Sequence, residues 1–253
     1  MSDNECPKRA IAPFAEATNS KLSSTYWSKG IRTNKIPAKL VTVQKPLHDG
    51  EGGWKAKARV VCCGKIEPGS VGEDLQNRAE VPSTYGVRTL LAIGAEKGWS
   101  SGSLDVKTAF LYAELNVEED GIMVVPPPSI LVRMGLVEPG IMWKLKKALC
   151  GLRCAPKRWS QERGRVLQDQ PVALDGQLGR TQRCKATQGL WKVICDNKIV
   201  GYFLLYVGDL LIVAKTKWIL ATMQPFGNNW ECTHVGILVT DDEYTDLAVQ
   251  SLV

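Results

Sequence analysis

Asp105 and Asp209 are the side chains best placed by type and spacing to do chemistry in this sequence. Trp99 to Val106 reads as a strand leading to Asp105. Val200 to Val207 and Leu210 to Ala214 read as a hairpin with Gly208-Asp209 at its tip. A carboxylate at a strand end beside a turn stays solvated and can reach an ion. Carboxylates that hold two cations about 3.5–4 Å apart clamp the attacking and leaving oxygens of a phosphoryl transfer. Spacing alone leaves a plainer reading open, since an Asp after a strand is ordinarily a turn or cap residue and Gly-Asp is an ordinary hairpin tip. A cationic group accompanies them. Lys55, Lys57 and Arg59 alternate with Ala56, Ala58 and Val60, so a strand puts the cations on one face, there to meet either water or a polyanion.

Around these residues the chain predicts a regular order of elements. A strand over Lys39 to Lys45, a turn at His48 to Gly53 and a strand over Trp54 to Cys63 make a hairpin. Pro82-Ser83-Thr84 precedes a helix whose apolar face is Val87, Leu90, Leu91, Gly94 and Ala95, with Gly98 to end it. A strand at 121–125 stops at Pro126-Pro127-Pro128. Trp143 to Leu149 is apolar with lysines, and Gly151 breaks it. Ala155-Pro156 then opens a helix running to about residue 168, with Pro in the first turn, where its missing N–H costs nothing. The Gln-, Gly- and Asp-rich stretch 169–188 reads as a loop. Residues 1–35 read as a poorly ordered lead-in, and 216–253 as a truncated or irregular tail with an acidic cluster at Asp241, Asp242 and Glu243. Helices alternating with antiparallel strands predict an α+β fold, with the helices on one face of a sheet.

The bulk numbers are compatible with that order. At 253 residues, 44% hydrophobic and 23% charged, the chain can bury a substantial core. Its formal net charge of +6, from 32 Lys+Arg against 26 Asp+Glu, permits a polyanionic partner without requiring one. The 8 cysteines are scattered, and no apolar secretory segment occurs in residues 1–20, so free thiols in a reducing compartment are the expectation. Cys150-x3-Cys154 and Cys232-x-His234 each lack the second pair that a zinc site needs. The longest apolar stretch, near 199–214, is too short and too polar at its centre to span a bilayer.

Longer strings carry a resemblance. Leu104-Asp105-Val106-Lys107-Thr108-Ala109-Phe110 resembles the segment that supplies the first catalytic aspartate of copia-type retrotransposon reverse transcriptases. Lys146 to Trp159 (KKALCGLRCAPKRW) is similar to that family's KKxLYGLxQAPRxW motif. Lys57-Ala58-Arg59-Val60-Val61 resembles its KARLV segment, and Tyr206-Val207-Gly208-Asp209-Leu210-Leu211-Ile212 its YVDD[IL]LI hairpin. The motifs keep the family's order over residues 40–215. The resemblance implies an α+β right-hand polymerase over residues 36–215, with a ferredoxin-like palm, small fingers and a truncated or absent thumb. It implies RNA-directed DNA polymerase activity with two Mg2+ ions held at Asp105 and Asp209. The backbone from Val106 to Ala109, with Lys107, Thr108 and Ala109, would approach the triphosphate through main-chain N–H groups, and Phe110 would be the gate against a ribose 2′-OH, its plainer role being a core aromatic. Lys55, Lys57 and Arg59 would offer charge to the triphosphate. Gly151 through Pro156 would lie under template and nucleotide, with Arg153 on a phosphate, and Tyr206 would belong to the substrate-binding hairpin. Trp159 reads as helix core in preference to base stacking. Template–primer, deoxynucleoside triphosphates and other segments of a retrotransposon polyprotein are the implied partners. The implied place is a cytoplasmic particle or the nucleus, with no membrane and no secretion.

The departures from the pattern matter as much. The family's hairpin carries two aspartates, and the first is replaced here by Gly208, which has no ligand atom. Its φ freedom suits the turn, so the hairpin is expected to form with a crippled metal site. Cys150 stands where the family usually has Tyr, and Cys154 where it usually has Gln or Glu, each removing a hydrogen-bonding group. Three readings follow: a polymerase core, active or degenerate; a non-catalytic nucleic-acid-binding relic; or a remnant that does not fold stably.

Overall fold

The computed structural model describes residues 15–19, 33–46, 53–66, 82–185 and 187–238, arranged as two compact units that interleave along the chain. The first is made of Met1–Arg78 and Phe110–Arg158, the second of Ala79–Ala109 and Trp159–Val253. The fold is mixed α+β, dominated by sheet.

The first unit holds a four-stranded sheet in the order β1 (Ala15–Asn19), β7 (Ile141–Leu145), β6 (Ile122–Val125), β2 (Thr33–Lys35). β6 is an unbroken apolar run, buried at every position, as a strand covered on both faces should be. The run Trp143 to Leu149 contributes its first residues to β7, which pairs antiparallel with both β1 and β6. β1 and β2 correct the expectation of a poorly ordered lead-in wherever residues 1–35 are described. Their polar sequences hide them. β1 is held by main-chain pairing and by Glu16, whose carboxylate sits 2.6 Å from the Lys146 ammonium. β2 buries Asn34, which donates its amide to the Asp120 carbonyl at 3.0 Å.

Asp120 ends the short helix α2 (Val117–Asp120), between α1 (Thr84–Lys97, in the second unit) and α3 (Ser129–Arg133). Asn116 caps α2, its side-chain oxygen accepting from Glu118 N at 2.9 Å and Glu119 N at 3.4 Å. Arg158 grips the Asp120 carboxylate with Nε at 2.7 Å and Nη2 at 3.0 Å, both side chains being 6% exposed. The same carboxylate accepts from Asn116 N at 2.8 Å. This is a buried ion pair with its remaining lone pairs satisfied, the condition under which such a pair is tolerable.

β3 (Ala38–Pro46) and β4 (Trp54–Cys62) form a separate two-stranded ribbon, as expected, with their turn outside the described residues. Its root is fixed to the Lys146–Trp159 motif. Cys62 N donates to Cys150 O at 2.8 Å and Gly64 N to Gly151 O at 3.1 Å. Gly151 has φ +90, and a Cβ there would fall 2.0 Å from the Cys62 carbonyl oxygen. Both the backbone conformation and the contact therefore demand glycine.

The second unit is an antiparallel sheet of seven strands in the order β13 (Cys232–Leu238), β5 (Ser100–Val106), β12 (Asp209–Ala214), β11 (Lys198–Tyr206), β10 (Leu190–Cys195), β9 (Gln177–Arg183), β8 (Pro171–Leu174). Ser83 caps α1 by accepting from Gly86 N at 3.1 Å, and Gly98 closes it. α1 packs on the sheet through Leu90 against Leu204 and Val213, with Val87 alongside. Leu91 faces outward at 45% exposure, and Ala95 is exposed, so the predicted apolar face is narrower than expected.

α4 (Ala155–Leu167) begins where predicted. Its Trp159 meets Trp230 edge to face, with centroids 5.0 Å apart. An aromatic chain continues from Trp230 through Phe226 to Phe203 and Trp191. Phe226 lies on α5 (Thr216–Asn229), and Trp230 caps that helix. Phe203 meets α5 while its neighbour Leu204 meets α1, so the helices cover both faces of the sheet, not one.

Two further expectations are corrected here. The stretch 169–188 is largely the hairpin β8–β9, turning at Asp175 and Gly176 with φ 48 and 76. The tail from 216 is ordered as α5 and β13 through residue 238. The acidic cluster at Asp241 to Glu243 lies outside the described residues.

Candidate active site

In the second unit β5 and β12 run antiparallel with Asp105 opposite Asp209, so their side chains project from one face of the sheet. On its other side Asp105 pairs with Thr233 of β13, and Asp209 pairs across the turn with Tyr206. Thr233, Asp105, Asp209 and Tyr206 thus form one row over the ends of the central strands. Asp209 lies in the strand and not at the hairpin tip, which is Val207-Gly208. Burial, then the negative charge of Asp105, holds the Asp209 carboxyl above the usual carboxylate range.

Gly208 sits against this pair. A Cβ at that position would lie 3.0 Å from Val106 O, 3.3 Å from an Asp105 carboxylate oxygen and 3.5 Å from the Ala109 Cβ. An aspartate at 208 would therefore carry its carboxylate into the space beside Asp105, with neighbours giving by a few tenths of an ångström. The turn does not use the glycine as the sequence suggested. The left-handed residue is Val207, φ 50, while Gly208 is absent from the positive-φ glycines. A β-branched residue there is strained, on the order of 1–3 kcal/mol. The Val207 carbonyl oxygen accepts from Trp159 Nε1 at 2.6 Å and Arg163 Nη1 at 3.2 Å. Sequence reasoning assigned Trp159 to the helix core. The ring is 1% exposed, so that holds, but its hydrogen bond left no trace in the sequence.

The main-chain N–H groups after Asp105 are partly committed. Val106 N donates to Gly208 O at 2.9 Å and Lys107 N to Glu231 O at 2.8 Å. The Lys107 ammonium is 2.7 Å from the Glu231 carboxylate. Thr108 has φ 51, and Ala109 is buried at the start of a 3₁₀ turn, Ala109–Tyr112. Cys232, opposite Val106, has its thiol pushed up to about 11 by burial, then by Asp105 and Glu231, with Lys107 opposing. The sequence offers Cys232 only as half of an incomplete zinc pair and Thr233 not at all, because β13 falls in a tail without alternation.

As a metal centre this is a two-carboxylate set. Among the described residues no group of three or more His, Cys, Asp or Glu converges. The two facing carboxylates offer oxygen atoms of the kind a divalent cation takes. Gly208, beside them, contributes no side-chain oxygen.

The first unit holds the other predicted residues. Lys55, Lys57 and Arg59 stand on β4 opposite Lys45, Val43 and Val41 of β3, and all are exposed. Trp54, beside the turn, is 69% exposed, and Ala56 and Ala58 are exposed on the other face. The cations thus project from a ribbon open on both sides. Gly151 locks the ribbon root as described, Arg153 and Phe110 are half-buried, and Cys150 is exposed while Cys154 is buried. The zinc pairings considered for the cysteines find no ligand cluster among the described residues. None of the helices among these residues is long and apolar enough to cross a membrane.

A family model described as reverse transcriptase (RNA-dependent DNA polymerase) matches residues 28–228. The retrovirus-related Pol polyprotein from transposon TNT 1-94 of Nicotiana tabacum is 28% identical over 203 residues, 80% of this chain and 14% of the relative. Those from transposons RE1 and RE2 of Arabidopsis thaliana are 28% and 26% identical over 165 residues, 65% of this chain and 10% of each relative. The chain spans a small fraction of the length of these curated relatives.

Proposed function

The chain belongs to the reverse transcriptase family, in its copia-type Pol branch, and from that premise we propose that it is a polymerase core whose nucleotidyl-transfer centre is impaired at Gly208. In this reading the seven-stranded unit is the palm, the β3–β4 ribbon belongs to the fingers, and Asp105 and Asp209 are the surviving metal ligands. The observation that carries it is the register of β5 against β12, which puts the two carboxylates opposite each other, with Gly208 adjacent and lacking one. A magnesium ion held by such carboxylates would polarise phosphate oxygens and activate a primer hydroxyl. The chain's own contribution is to aim the two carboxylates from one sheet face and to keep Lys107 paired to Glu231 beside them. Phe110 serves as the gate that selects deoxynucleotides, and Arg153 and Tyr206 contact substrate.

A second reading, a nucleic-acid-binding relic without catalysis, is favoured by the exposed cations of the ribbon, which need no metal to bind a phosphate backbone. One assay separates the two: titrate a fluorescent RNA template–DNA primer at several salt concentrations, and follow incorporation in the same samples with Mg2+ or Mn2+. Impaired synthesis predicts binding with slow, Mn2+-favoured incorporation. Binding with none selects the relic, and incorporation at rates of about 1 s⁻¹ or more, ordinary for an enzyme, would sink the proposed impairment. The site of action proposed is a retrotransposon particle or the nucleus, alongside other segments of the polyprotein.

A further inference from the structure

We propose that Trp159 and Arg163 of α4 are positioning residues that hold the Val207-Gly208 turn, and through it Asp209, in register with Asp105. The proposal rests on the reading of that carboxylate pair as the metal centre. The residues it names all lie in the second unit. Val207 occupies a left-handed conformation that a β-branched residue does not adopt unaided, so something outside the hairpin must stabilise it. Two side-chain donors, Trp159 Nε1 and Arg163 Nη1, converge on the Val207 carbonyl.

Each donor is itself fixed. The Trp159 ring is braced edge-on by Trp230, which packs on Phe226 of α5. Arg163 is 2% exposed, and burial pulls its pKa down to about 10, so it still arrives as a cation at neutral pH. A buried guanidinium aimed at a turn carbonyl is a charge-assisted contact, of the stronger class of hydrogen bond. The turn also reaches the other carboxylate strand, since Gly208 O accepts from Val106 N at 2.9 Å. A shift of the Val207 peptide therefore moves Asp209 directly and Asp105 through Val106.

The test uses the full chain and Trp159→Phe, which keeps an aromatic ring against Trp230 but removes the donor along with part of the indole's volume, with Arg163→Met as the second variant. Amide hydrogen exchange of a peptide covering residues 202–214 is the deciding readout, with Trp230→Phe as the packing control. Trp159→Phe is expected to speed exchange at the turn by about tenfold, without a comparable change in the β8–β9 hairpin. In a Gly208→Asp background the same substitution should lower kcat about tenfold and leave the KM for template–primer unchanged. Unchanged exchange at the turn in both variants, or faster exchange spread evenly over the sheet, would overturn the proposal. A Gly208→Asp chain that makes no DNA counts against the functional reading alone, and the exchange result still decides the positioning role.

Discussion

At residue scale the site is defined by what Asp105 does to its neighbours. The raised Asp209 carboxyl has burial as its first cause and Asp105 as its second. With its folded pKa above the unfolded value, Asp209 favours folding most when protonated, and that contribution is lost as pH rises through the raised pKa. Asp105→Asn should bring the Asp209 pKa down while the burial contribution persists. Carboxyl NMR titration reads this directly, and an unmoved Asp209 would mean the two groups do not face each other. Cys232 gives an independent check. With its thiol near 11, iodoacetamide at pH 8 should label it far more slowly than the exposed Cys150. Asp105→Asn should speed Cys232 alkylation, because one negative charge beside the thiolate has gone. Equal rates for Cys232 in both proteins would remove Asp105 from its surroundings.

At element scale two devices hold the chemistry-bearing segments. The Arg158–Asp120 pair ties the start of α4 to the cap of α2, and removing Arg158, which also meets Glu119 at 2.9 Å, leaves the buried Asp120 carboxylate without its cation. Arg158→Met should cost about 3–5 kcal/mol by urea denaturation, and the double change Arg158→Met, Asp120→Leu should recover part of that loss. The β3–β4 ribbon, clamped at Gly151, presents Lys55, Lys57 and Arg59 to solvent. Changing all three to Gln should flatten the dependence of log K on log salt for duplex binding by about 2–3, and an unchanged slope would exclude the ribbon from contact. The elements legible in the sequence were those with apolar periodicity or turn chemistry: the ribbon, α1, β5, β6 and the hairpin of β11 and β12. The missed ones lacked such marks. In β9 the inward positions are Gly179 and Thr181, so its buried face shows no alternation of large apolar residues. α5 buries Trp218, Ile219, Met223 and Phe226 but carries Pro225 inside, which reads as a break. β1 and β2 are held by pairing and polar contacts, which hydropathy does not register. Of the site, the motif strings made Asp105, Asp209 and the glycine at 208 legible. The Thr233 row, the Cys232 neighbour and the Trp159 donor arise only from tertiary pairing.

At the scale of the whole molecule, the +6 charge and the exposed ribbon suit a polyanion, and the seven-stranded sheet assembles the carboxylate pair from strands more than a hundred residues apart in sequence. In the proposed reading this assembly survives while position 208 carries no side-chain oxygen. The direct measurement is primer extension on an RNA template by the native chain and by Gly208→Asp, side by side with Mg2+. The substitution needs only small adjustments at Val106 O and Asp105, and the backbone at 208 does not require glycine. Slow or absent synthesis by the native chain and a rise of about a hundredfold or more with Gly208→Asp is the predicted result, because a ligand lost from a metal centre costs at least what a supporting contact does. Robust synthesis by the native chain, unchanged by the substitution, would refute the proposed impairment at Gly208.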